Sequence, residues 1–297
     1  MTLTNRSTVF LAWGILLLGS LLPDILFYQF TGAIPSWLSY ARLALFAGLF
    51  LASLAVHYLR SLRAFVVVLF TIYAAPIALA GINFDLPFLR SLLGNGGFIK
   101  TMQPEQTANL AVSVVMIAVL LLLGYRRKGM FLTLGNLKAP ITPVKWLGFP
   151  KPSSWVSFGG QYSVYLALGV GAVIWLTSGA TIALAGRVLP QVPAILVMAA
   201  LNAFNEEMLY RSAVLTTLEG PAGRQQAWLM AAALFGIGHF FGVPWGWVGI
   251  ALATFMGWIL SKAMLETRGF FWSWWIHFLQ DVVIFFFLAA GTITPGG

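Results

Sequence analysis

The chain is 297 residues long, 60% hydrophobic and only 8% charged, a balance that excludes a water-soluble domain and fits a multi-span helical membrane protein. Its formal net charge of +9 does not mark a nucleic-acid binder, because the basic residues flank apolar spans as they do on cytoplasmic loops. It has no cysteine, which excludes disulfides, thiolate nucleophiles and cysteine-ligated metals.

In chain order, hydropathy predicts nine transmembrane helices, at about 8–29, 38–59, 64–82, 107–124, 162–185, 192–218, 225–242, 246–265 and 270–290. Each is near the ~20 residues a helix needs to cross a bilayer. Helices satisfy every backbone group within the segment, and the alternation a closed barrel would need is absent. The expected fold class is all-α, a polytopic helical membrane protein with its polar core in the last five helices. Arg6 precedes an apolar run from Val9 to Leu22 with no small-residue cleavage site after it, so the first span is expected to be retained. Pro23-Asp24 interrupts that span.

The 17 Lys and Arg residues set the expected orientation. With the N-terminus inside, twelve of them fall on inner segments, among them Arg6, Arg126, Lys145, Arg224, Lys262 and Arg268. Four fall outside (Arg42, Arg90, Lys100 and Arg187), and Arg211 lies within the sixth span. That asymmetry predicts N-in and, with nine spans, C-out, in the cell (plasma) membrane. Residues 126–160 hold six basic residues, no acidic one and four prolines. They read as a solvated cytoplasmic connector that touches anionic lipid. The connector divides the chain into N-terminal helices (1–125), the basic loop (126–160) and a C-terminal core (161–297). No convincing polar cluster is expected in the first four spans, and no inverted repeat of the transporter kind is visible.

Only eight residues are acidic, and two of them sit side by side in the apolar run Asn205-Glu206-Glu207-Met208-Leu209-Tyr210-Arg211. Ionisable groups at such depth are costly, and those found there usually pair and do work. Glu207 and Arg211 are four apart with the acid first, the favourable order for an ion pair on a helix. Glu206 points about 100° away and is expected to face elsewhere, unpaired, with Asn202 and Tyr210 on its face. A purely structural charge pair explains Glu207 and Arg211 but leaves Glu206 without a reason. His239 ends the run Phe235-Gly236-Ile237-Gly238-His239, whose glycines permit close helix approach. His277 and Asp281 are four apart and share a helix face, with Ser273 and Gln280 beside them. A histidine–carboxylate pair there suits a packing hydrogen bond, a metal ligand or an oriented acid–base group. His57, at a span end beside Arg60, is assigned no role.

Depth brings these groups into one layer. At 1.5 Å per residue from the inner helix ends, Glu206 lies at ~18 Å, His239 at ~21 Å, His277 at ~12 Å and Asp281 at ~18 Å. Four groups on three helices are thus expected near the middle of the bilayer.

The order Glu206-Glu207-x-x-x-Arg211, Phe235-x-x-x-His239, His277-x-x-x-Asp281 resembles the CAAX protease and bacteriocin-processing family of intramembrane endopeptidases, which includes the type II CAAX prenyl proteases. The resemblance covers roughly residues 160–290. It implies that Glu206 and His239 activate the attacking water. His277 and Asp281 would stabilise the oxyanion or hold a metal, and Glu207 and Arg211 would support the site. A divalent metal such as zinc stays open as a cofactor. Prenyl-protease-like members carry Asn where this chain has Asp281. An ionised Asp donates no hydrogen bond to an oxyanion but makes a good cation ligand.

The chemistry is coherent without the family, since a carboxylate and imidazoles can polarise a water for peptide hydrolysis. Gly-x-Ser-x-Gly, Gly-x-Gly-Asp and His-Glu-x-x-His motifs are absent. The expected activity is that of a hydrolase acting on a membrane-associated peptide or protein, with the lipid bilayer as its other partner and no nucleic acid. A non-catalytic membrane scaffold or an ion-coupled transporter stands as the alternative.

Overall fold

The computed structural model describes residues 3–94 and 96–293. Eleven helices carry the architecture: α1 (Leu3–Gly19), α2 (Leu22–Thr31), α3 (Trp37–Ala55), α4 (Arg63–Leu79), α5 (Gly97–Leu122) and α6 (Trp155–Thr177). The others are α7 (Val192–Glu206), α8 (Ala213–Ala222), α9 (Arg224–Gly238), α10 (Trp247–Thr267) and α11 (Phe271–Ala290). A π-helical turn, Glu207–Ser212, joins α7 to α8 without a break in direction, so 186–222 reads as one long element.

Among the described residues, six helices are long and apolar enough to cross a membrane, or up to seven when the bent pair α1–α2 counts as one span. The chain is therefore an all-α polytopic protein, while the expected nine spans exceed what helix length supports. Two of the nine fall short. Helix α4 has 17 residues and α9 only 15, about 22 Å against a ~30 Å hydrocarbon core. Helix α9 stops at Gly238 rather than near 242 because Gly242 and Pro244 follow and the chain turns back into α10.

Local chemistry explains the ends. Pro23 sits in the first turn of α2, where its missing N–H costs nothing, and α1 and α2 meet at 48°. Ser154 caps α6 by accepting from the Ser157 N–H, so that helix starts seven residues before the predicted span. Helix α5 begins ten residues early because its polar first turns are buried and bonded. Gln103 binds the Leu86 N–H and the Phe84 carbonyl at 2.9 Å each.

Two expectations need correction. The N-terminal helices do hold a polar cluster: Asp24 of α2 and Arg42 of α3 form a buried ion pair, with Arg42 4.6 Å from the Tyr73 ring centroid. Arg42 is thus inside the bundle rather than on an outer loop. The basic segment is also more than a solvated connector. Its charges are exposed, but Met130, Phe131, Ile141 and Val144 are buried, and β1 (Pro140–Ile141) pairs antiparallel with β2 (Ser153–Ser154). It docks on the α10–α11 turn, where Asn136 N–H donates to Thr267 O (2.8 Å) and Phe270 N–H to Thr133 O (2.8 Å). Gly135, at φ 75°, lies so close to Gly269 that no side chain fits between them.

One apolar cluster runs from Ala12 and Phe46 through Leu69 and Met116 to Met208, Leu215 and Met230, so the N-terminal helices pack directly on α8 and α9. Helices α9 and α10 form a tight antiparallel hairpin, and α11 packs between α6 and α7. The cluster includes Met130 and Phe131 of the basic segment.

Candidate active site

The centre is built by α7 with its π-helical turn, the end of α9, and α11. Glu206 is the last residue of α7 and Glu207 the first of the π-helical turn. The wide turn begins directly after Glu206, and π-helical turns of this kind recur at functional sites. Both carboxylates lie beside the same imidazole. Glu207 Oε1 lies 2.7 Å from His277 Nδ1, and Glu206 Oε2 lies 3.5 Å from His277 Nε2. Glu206 Oε2 makes no hydrogen bond, in keeping with the expected unpaired acid, although it stands beside the imidazole that Glu207 binds rather than apart from it.

Glu207 and Arg211 are fully buried. Arg211 Nη1 is 3.1 Å from Glu207 Oε1, the ion pair expected from their spacing. Its guanidinium nitrogens make no hydrogen bond, and its central carbon lies 3.4 Å from the Phe235 ring centroid. The charge is thus held between one carboxylate and one aromatic face. Ser273 donates to the second oxygen of Glu207, so that carboxylate is held from three sides.

His239 caps α9 just beyond Gly238. Its Nδ1 lies 2.8 Å from the Phe235 carbonyl, which can only accept, so Nδ1 carries a hydrogen and, in the neutral ring, Nε2 keeps its lone pair. That Nε2 is 3.9 Å from Glu206 Oε2, and Oε2 itself has no hydrogen-bond partner. Gly236 lets α9 approach so closely that an added Cβ would meet the Ile250 carbonyl at 2.9 Å and collide with Thr254. His239 is held where it is by that approach.

Asp281 lies 3.7 Å from His277 Nε2, too far for the hydrogen bond that one reading of the pair expected. Its bond goes to α7 instead: Asn202 Nδ2 donates to Asp281 Oδ2 at 3.0 Å and, more weakly, to Glu206 Oε1 at 3.4 Å. Asn202 and Ser273 thus join the site as positioning groups. The sequence placed both on the right faces, but only as neighbours, because helical spacing gives no partner across helices.

All six residues singled out in the sequence therefore meet: Glu206, Glu207, Arg211, His239, His277 and Asp281. Burial sorts them. Arg211, Glu207, His277 and Asp281 form a closed floor, while the Glu206 and His239 side chains are 26% and 31% exposed and form the open side. His57 is exposed and distant in the chain from all of them. Among the described residues no group of three or more His, Asp or Glu side chains is arranged to hold a metal ion. The imidazole nitrogens nearest Glu206 Oε2 stand 3.5 and 3.9 Å away, a spacing suited to an intervening small molecule with hydrogen bonds.

Residues 188–283 match the family model described as type II CAAX prenyl endopeptidase, Rce1-like. The match contains every residue of the centre and leaves out the helices up to α6. No curated protein and no solved structure matches the chain.

Proposed function

We propose that the chain, which resembles the Rce1-like type II CAAX prenyl endopeptidases over residues 188–283 and falls with them in the CAAX protease family, is an intramembrane endopeptidase whose water is activated by Glu206 and His239. One observation carries the reading. Glu206 Oε2 has no hydrogen bond and lies within 3.9 Å of the lone pair of His239 Nε2, on the open side of an otherwise closed polar centre.

Two acceptors at that separation suit a water, which donates one hydrogen to each and keeps its lone pairs for attack. Glu206 takes a proton as the oxygen bonds to the scissile carbonyl carbon. The carbonyl oxygen becomes an oxyanion. His277 donates to Glu207 through Nδ1, so as an imidazolium it also offers an Nε2–H on the same side as Glu206. The tetrahedral carbon then expels the amine, which leaves with the proton held on Glu206. Glu207 and Arg211 fix the His277 ring, and Asp281 fixes Asn202. A divalent metal, if bound by these residues, would supply Lewis-acid polarisation of water or carbonyl.

Substrate, orientation and membrane follow as parts of the proposal. The substrate is a membrane-associated peptide or protein that reaches the exposed faces of Glu206 and His239. Arg42 and Lys262 are buried in the structure, so with α4 and α9 kept as short spans the basic tally becomes eleven inner residues against three outer, which supports N-in; the plasma membrane is the membrane proposed.

The test is a cleavage assay on purified protein in proteoliposomes, with a library of membrane peptides that includes prenylated and unprenylated C-terminal sequences. New termini found by mass spectrometry, and lost with Glu206→Gln, are the expected result. A folded protein that cleaves nothing in the library would favour the non-catalytic scaffold.

A further inference from the structure

The opposite end of α9 and α10 frames a cavity of about 670 Å³, lined also by the basic segment before α6. Its rim carries Lys145 and Arg224, both exposed and without an ion pair among the described residues. Its wall is aromatic. The Trp258 ring centroid lies 5.5 Å from that of Trp146 and 4.7 Å from that of Trp228. The Trp228 indole N–H donates to the Trp258 carbonyl at 2.7 Å, which fixes the wall across the hairpin.

The cavity has one acid, and it is fully engaged. Glu266 accepts from Lys262 Nζ at 2.6 Å, the Thr142 N–H at 3.2 Å and the Trp155 indole N–H at 2.9 Å. The Lys262–Glu266 pair cancels, leaving the two rim cations over an indole wall. Polarity also falls with depth. Arg224 and Glu266 sit near the helix ends, Trp228 lies one turn inward, and Trp258 lies two turns inward from Glu266, about 12 Å at 1.5 Å per residue. A soluble anion would use the rim and leave the indoles wet. An amphiphile with an anionic head satisfies both ends, and indoles settle at the headgroup boundary of membranes.

We propose that this cavity is a binding site for an anionic phospholipid, with its phosphate between Lys145 and Arg224 and an acyl chain along Trp146, Trp228 and Trp258. The site is one α9 length, about 22 Å, from His239, so it stands independently of the hydrolytic reading.

Native mass spectrometry of the detergent-purified full chain tests this, with phosphatidylglycerol against phosphatidylcholine as probes. Each basic residue near a membrane surface contributes about fivefold to the affinity for anionic lipid, so Lys145→Gln/Arg224→Gln should weaken phosphatidylglycerol retention about 25-fold. Phosphatidylcholine retention should not change. Arg126→Gln/Lys128→Gln removes the same net charge from the basic segment, outside the cavity, and should leave retention intact. Equal loss in both double variants would reduce the effect to general attraction and overturn the site. Trp146→Ala, with both charges kept, should weaken retention several-fold; unchanged retention would overturn the acyl-chain placement. Displacement of the lipid by millimolar inorganic phosphate would show a phosphate site and also overturn the proposal.

Discussion

Replacing Glu207 and replacing Glu206 by Gln should both abolish cleavage, yet only the first should destabilise the bundle. Glu207 is fully buried and carries Arg211 at 3.1 Å, His277 at 2.7 Å and the Ser273 hydroxyl. Glutamine keeps the shape and removes the charge. Arg211, which already makes no hydrogen bond, then has only the Phe235 face. A desolvated cation–π contact is worth about 2 kcal/mol, whereas breaking a buried ion pair costs about 3–5 kcal/mol. The expected loss is about 3 kcal/mol, allowing for the one hydrogen bond an amide oxygen can still accept. Glu206 differs. Its Oε2 has no hydrogen bond and its side chain is 26% exposed, so Gln should change stability by less than about 1 kcal/mol. Unfolding in micelles, followed by tryptophan fluorescence, measures both. Glu207→Gln/Arg211→Met removes the two charges together and should recover most of the stability without recovering cleavage. A Glu207→Gln protein as stable as the parent, or a Glu206→Gln protein equally weakened, would refute the division of the two acids into a supporting and a reacting group.

Asp281→Asn separates the two chemistries left open for this position. Without a metal, the amide can add an N–H toward the oxyanion, so activity should be kept or raised and chelators should leave the parent unaffected. A chelator-sensitive parent with stoichiometric zinc, or an Asn variant restored by added zinc, would reverse that assignment. Gly236→Val should lower both stability and cleavage, because its side chain meets the Ile250 carbonyl and Thr254; overpacking of this kind costs about 1–3 kcal/mol. Circular dichroism melts and the cleavage assay would show a fault in this account if Val were tolerated in both. A single cysteine placed at Lys145 should be labelled only from the inner side of sealed cells, and labelling from outside would invert the orientation.

Height within the bundle was legible because it depends only on counting. The rise of 1.5 Å per residue placed Glu206, His239, His277 and Asp281 in one layer, and spacing four apart placed Glu207 with Arg211. The all-α class was legible for an equally general reason: a bilayer leaves no water to satisfy an open backbone. Lateral choice was not legible. Helix association in lipid rests on close packing and hydrogen bonds rather than on a hydrophobic stripe, so periodicity names no neighbour. That is why His277 was expected beside Asp281 and is found bonded to Glu207, and why Asn202 was seen only as a face-mate of Glu206.

The same limit hid the Asp24–Arg42 pair, which joins two helices of the N-terminal part, and the docking of the basic segment, whose buried Phe131 and Ile141 are short apolar islands among charges. By itself, the sequence determined that these acids and imidazoles share a depth in the membrane. Only the tertiary structure decided that Glu206 and Glu207 would lie at opposite nitrogens of one imidazole. Which helix supplies that imidazole leaves no mark in the hydropathy pattern, because it is fixed by hydrogen bonds and close packing between helices.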